Sequence, residues 1–163
     1  MRTAQPLSIH RAPSVQGDLS KQYEHVRDTT TALTAHLSEE DCVIQSMPDA
    51  SPVKWHLAHT SWFFETFVLE NQPGYRCFHA SFRVLFNSYY NGVGEKYPRP
   101  QRGLISRPSL KDILNYRRYV DEHMMRLIRA EETLSAPVQR LIELGCHHEQ
   151  QHQELILTDL KHL

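Results

Sequence analysis

Two imidazoles stand four residues apart, at His148 and His152, in the stretch GCHHEQQHQEL from Gly145 to Leu155. In a helix, positions i and i+4 share one face, so both rings can converge on a single point. Neutral imidazole is the commonest metal-ligating side chain. Carboxylates and amides (Glu149, Glu154, Gln150, Gln151, Gln153) surround the pair. Such a segment is either part of a metal site or a polar, solvated helix that carries histidines. The stretch from Lys54 to Phe67, KWHLAHTSWFFETF, bears on that choice. It is aromatic and aliphatic enough to be a buried helix, yet it holds His56 and His59. A histidine there must be hydrogen-bonded or ligated, because burying an unpaired polar group costs roughly 1–3 kcal/mol. Beside a second helix carrying HxxxH, a third metal ligand explains it better than a lone core histidine.

The elements that must position these groups are helical. Leu19 to Leu37 has apolar or aromatic residues at 19, 23, 26, 33 and 37, the pattern of an amphipathic helix, although Thr29 to Thr31 weaken it. Ser38 with Asp41 starts a short piece by capping-box logic, and Met47-Pro48-Asp49 ends it. Ser51 is expected to cap a second long helix with Pro52 in its first turn, running to about Asn71 before Pro73-Gly74. A third helix begins at Pro108 or Ser109 and runs to about Glu131. A fourth starts at Ser135 and Pro137, carries the HEQQH box and continues to the end.

Residues 72–107 fit none of these. They hold Gly74, Gly92, Gly94, Pro98, Pro100 and Gly103 without a sustained period, and a connection this long is usually functional or disordered. Phe82, Phe86, Tyr89, Tyr90 and Tyr97 argue against disorder. At its end Arg99, Arg102 and Arg107 stand close together, serving either solubility or a clamp for a substrate carboxylate, which the planar guanidinium suits. The expected architecture is all-α: a four-helix bundle with short connections after the first and third helices and one long crossover between helices 2 and 3. Residues 1–17, with Pro6, Pro13 and Gly17, read as a flexible N-terminal arm, leaving 18–163 as the bundle.

Composition narrows the function classes. At 163 residues the chain fits one domain, and a net charge of -1 with mixed signs leaves no footprint for nucleic acid or an anionic membrane. No apolar run approaches the ~20 residues of a membrane span, and the N-terminus lacks a signal-peptide core, so a cytoplasmic protein is expected. Cys42, Cys77 and Cys146 are too few and too scattered for a disulfide framework or a thiolate zinc site.

A histidine in the second helix with HxxxH in the fourth resembles the DinB-like metal-binding bundles. More narrowly, SMPDASPVKWHLAHTSWFFETF, LFNSYYNGVG, RPQRGLISRP and HHEQQHQELILTDLKH, in that order over residues 19–163, resemble the N-terminal domain of the ergothioneine-biosynthesis sulfoxide synthases (hercynine oxygenases). The resemblance implies a non-haem Fe(II) held by His59, His148 and His152. It implies contact of Gln151 with hercynine, and of Arg99 and Arg102 with the carboxylates of cysteine or γ-glutamylcysteine. O2 is the implied oxidant. Three histidines on an octahedral metal leave three open positions, enough for a substrate imidazole, a thiolate and O2 together. His147 lies about 100° around the helix from His148 and cannot share its ion; His56, one turn before His59, is placed to support a ligand.

In that family the bundle is followed by a domain resembling the formylglycine-generating-enzyme fold, which supplies the other cleft wall and a catalytic tyrosine. This sequence stops at Leu163, so no residue is assigned as that tyrosine. The expectation is that the chain binds Fe(II), turns over poorly alone, and exposes an inner face through which it self-associates. Two rivals stand beside this reading. HEQQH matches the HExxH box of zinc proteases with Glu149 as general base, although only eleven residues follow His152 to supply a third ligand. The other is a stand-alone DinB-like protein, either a metal-dependent thiol transferase or a bundle with a structural metal.

Overall fold

A computed structural model describes residues 15–130 and 134–163, and all regular structure among them is helical. The helices are α1 (Val15–Thr34), α2 (Val53–Phe67), the single turn α3 (Phe82–Leu85), α4 (Leu110–Ile128) and α5 (Ala136–His162). α1 packs along α5, α2 lies against both α4 and α5, and α1 also touches α4. α2 is the centre: every residue from Val53 to Thr66 is buried. A helix apolar nearly all round can only sit inside the fold. Trp62 and Phe64 of α2 meet Ile113, Tyr116, Val120 and Met124 of α4 and Ile142 and Ile156 of α5 in one continuous core.

Local chemistry explains most boundaries. α4 opens on a capping box in which Ser109 Oγ accepts from the Asp112 N–H and the Ser109 N–H donates to Asp112 Oδ2. The threonines of α1 are tolerated because the hydroxyls of Thr29, Thr30 and Thr31 donate to the carbonyls of His25, Val26 and Arg27, one turn back. Ser38 and Asp41 exchange the expected bonds, but the piece they start is only a 3-10 turn, Asp41–Val43. The connection from α1 to α2 therefore spans residues 35–52 and is long, not short. α2 opens at Pro52 without a side-chain cap; the Ser51 hydroxyl instead accepts from Arg102. α1 begins at Val15, inside the expected arm, and the rest of that arm lies outside the described residues.

Two close approaches set the spacing of the helices. At Gly145 of α5 an added Cβ would lie 2.3 Å from the Phe64 ring, so the missing side chain lets α5 and α2 meet backbone to ring. One turn further along α5, Glu149 enters a buried ion cluster. Its carboxylate accepts from Arg27 Nη1 at 2.8 Å and Arg117 Nη2 at 2.9 Å. Arg27 also donates to Asp121 at 2.6 Å and to Ser61 Oγ, and Arg117 to the Leu57 carbonyl and Thr60 Oγ1. Two guanidiniums meet two carboxylates, and α1, α2, α4 and α5 each contribute. No helix among the described residues is long and apolar enough to cross a membrane.

Candidate metal centre

α2 and α5 bring His59, His148 and His152 together, with candidate ligand nitrogens within 4.8 Å of one another. The three ring centres form a nearly equilateral triangle with sides of 4.9, 4.8 and 4.6 Å. Each ring is held differently. His59 lies between Trp55 and Trp62, stacked on both at 4.4 and 5.4 Å. Its Nδ1 is 2.6 Å from the Phe86 carbonyl, which can only accept, so the proton is on Nδ1 and the Nε2 lone pair is free. The end of α3 makes this possible: its last carbonyls have no helical partner. Those of Arg83 and Leu85 take the indole N–H groups of Trp62 and Trp55, and that of Phe86 takes His59.

His152 and His148 sit one turn apart on α5. His152 Nδ1 is 2.7 Å from Nδ1 of His56, whose Nε2 lies 3.0 Å from Asp159 Oδ2. His148 stacks on Phe63 at 4.7 Å, and its Nδ1 is buried with no hydrogen-bond partner. Burial drives all three imidazoles toward the neutral, ligating form. It pushes His148 down to about 4, and His59 and His152 well below the usual imidazole range, with neighbouring imidazoles acting in the same direction on those two. Three neutral nitrogen donors, one facing no protein partner, fit a borderline transition metal and not calcium or magnesium, which take oxygen ligands.

The histidines line a cavity of about 350 Å³ whose opposite wall is the α2–α4 connection, through Ser88, Tyr89, Tyr90, Arg99 and Arg102. Of the inner face expected to be exposed, His59 and His152 are buried, at 2% and 8%, while His148 is half-buried and Gln151 exposed. Arg102 is itself 4% exposed. Its Nη atoms donate to Ser51 Oγ and Ser88 Oγ at 2.9 and 3.2 Å, and its guanidinium lies 3.4 Å from the centre of the Trp55 ring. Its Nε is buried without a partner, and no carboxylate among the described residues pairs with it. Burial and the nearby Arg99 lower it to about 9. A buried cation with no counterion is an acceptor site for an anionic group.

The remaining sequence candidates divide. Arg99 is half-buried at the cavity wall, over the Tyr89 ring at 4.8 Å, and Gln151 lines the same space from an exposed position. Arg107, His147 and His162 are exposed and line no part of it. The protease reading is corrected. Glu149 is wholly buried in the ion cluster, away from the cavity, where Arg27 and Arg117 overcome the effect of burial and hold its carboxyl at about 2. A carboxylate so engaged does not serve as a general base to a metal-bound water. Asp159 went unnoticed in the sequence, although it lies seven residues after His152, two turns along the same face, and Ser51, expected as a helix cap, lines the cavity instead.

A family model of the DinB superfamily matches residues 22–156, and the chain belongs to that superfamily. No curated protein matches the chain.

Proposed function

We propose that this chain is the metal-binding domain of a non-haem Fe(II), O2-dependent sulfoxide synthase that joins hercynine to cysteine or γ-glutamylcysteine in the cytoplasm. The observation that carries the reading is the meeting, in one cavity, of three neutral imidazoles, two buried and one half-buried, and a buried guanidinium without a carboxylate. The ordered sequence blocks that resemble this enzyme class support it, and the four long helices are read as a DinB-like bundle with residues 72–107 as its crossover. Iron held by His59, His148 and His152 supplies redox chemistry and open coordination positions.

The chain's own residues bind and orient. Arg102, held flat on Trp55 by Ser51 and Ser88, receives the carboxylate of the thiol substrate, with Arg99 at the wall as the second cation. Gln151 contacts the betaine from α5, and Tyr89 and Tyr90 limit water on the connection side. In the overall reaction the thiol S–H and imidazole C–H bonds break and a C–S bond forms. One oxygen atom of O2 ends in the sulfoxide and the other in water with the two hydrogens. Both substrates must be held in register with water excluded; the enzymes that the sequence blocks resemble use a second domain for this, so the chain alone is expected to turn over slowly.

Anaerobic equilibrium dialysis against Fe(II), followed by calorimetric titration with hercynine and then γ-glutamylcysteine, tests the reading. One equivalent of iron and saturable binding of hercynine are expected, with thiol binding lost in Arg102→Ala. Tight zinc with thiol binding and no affinity for hercynine would favour a DinB-like thiol transferase instead.

A further inference from the structure

The hydrogen bonds behind His152 form a directed chain. Asp159 Oδ2 accepts the Ser51 N–H at 3.1 Å and stands 3.0 Å from His56 Nε2. A carboxylate can only accept, so the His56 proton is on Nε2. His56 is 2% exposed, where a second proton and its charge would be costly, so its Nδ1 carries a lone pair. That lone pair faces His152 Nδ1 at 2.7 Å. Two lone pairs do not meet at such a distance, so His152 carries its proton on Nδ1 and leaves Nε2 bare.

We propose that Asp159 and His56 are a positioning pair that locks His152 in the Nδ1–H tautomer and aims its Nε2 lone pair at the point shared with His59 and His148. The proposal rests on the metal-centre reading for the use of that lone pair, and on the hydrogen bonds alone for the tautomer. The three histidines are thereby prepared by three means. His59 is fixed by a backbone carbonyl, His148 by packing on Phe63, and His152 by a side-chain chain ending in a carboxylate that lines the cavity. Ligand histidines commonly give their second N–H to a carboxylate or carbonyl, and losing such a partner weakens metal binding by about 10–100-fold. Here a second imidazole is interposed, which reverses no polarity but makes the arrangement depend on two residues instead of one.

The test uses the metal-free chain labelled with 15N-histidine and long-range 1H–15N correlation spectra near neutral pH. His152 is expected as a single Nδ1–H tautomer, and Asp159→Ala as a mixture of both forms. Co(II) titration should show Asp159→Ala weakened by about 10–100-fold. His56→Phe, which keeps the volume but removes the acceptor, should lose affinity to a similar degree. His56→Gln is the rescue, because its amide can donate to Asp159 and accept from His152, and it should retain both the tautomer and most of the affinity. An Nε2–H tautomer in the parent chain overturns the proposal, as does an Asp159→Ala variant unchanged in tautomer and affinity. A parent chain with the locked tautomer and no Co(II) uptake would instead remove the metal reading and leave the tautomer assignment standing.

Discussion

Two neighbours in the sequence, His148 and Glu149, enter two buried polar regions built on opposite rules. Around Glu149 every strong group is answered: two carboxylates meet two guanidiniums, and the remaining donors find hydroxyls or a carbonyl. Around His148 the polar groups are left unfinished. Its own Nδ1 and the Nε of Arg102 are buried without partners, and the Arg102 charge has no counterion. Buried polar groups are nearly always satisfied in folded proteins, so the first region reads as architecture and the second as a place kept for a ligand. The difference teaches that burial and charge do not by themselves mark a functional site. Incompleteness does.

The largest effect separating the two should come from Glu149→Gln. It leaves Arg27 and Arg117 without their shared carboxylate in the core, and breaking a buried pair in this way costs about 3–5 kcal/mol. Urea denaturation of the metal-free chain would measure the loss; a cost below about 1 kcal/mol would mean that the cluster is not structural. His148→Ala should behave in the reverse manner. Metal affinity should fall by more than about 100-fold, beyond what loss of a supporting partner does, while the denaturation midpoint of the metal-free chain moves less than in Glu149→Gln. Equal losses of stability in the two variants would erase the comparison.

A smaller effect follows from pH. Burial holds the folded His148 at about 4, against 6.5 for an ordinary imidazole. Between those values the unfolded chain takes up a proton that the folded chain refuses, so stability of the metal-free protein falls as pH drops through that window. Glu149 adds a separate, lower window. Its carboxyl lies at about 2 when folded and 4.5 when free, so the stability that it contributes is present above 4.5 and is lost toward 2. His56, His59 and His152 are held below the usual imidazole range as well and act in the same direction as His148. Thermal unfolding scans should therefore show stability declining as pH drops below about 6.5, and His148→Ala should lessen that decline without abolishing it.

The helices and the HxxxH pair were legible because periodicity and spacing are local properties. The aromatic run around His56 and His59 announced a buried helix, and α2 is buried along its length. The long connection read as ordered from its aromatics, but its work was not readable. Phe86 positions His59 through a backbone carbonyl, which any residue type could supply. Arg27, Arg117 and Asp121 stand on different helices from Glu149, and nothing in their spacing marks them as partners. Ser51 resembled a helix cap because caps and long-range hydrogen bonds draw on the same hydroxyl, and here Arg102 claimed it. Asp159 differs from these: the seven-residue step from His152 was visible, and only its chemistry went unread.

Gly145 carries a consequence for how such a site tolerates change. It lies one turn before His148 and two before His152, and the Phe64 ring fills the space that a side chain would need. The distance between α2 and α5 is therefore calibrated outside the cavity, by a contact that touches no ligand. His59 belongs to one helix and the HxxxH pair to the other, so the span across the triangle inherits that calibration and has no adjustment of its own. A lineage could exchange residues around the cavity to alter what it binds, yet drift at this one glycine would detune the site before anything in it had changed.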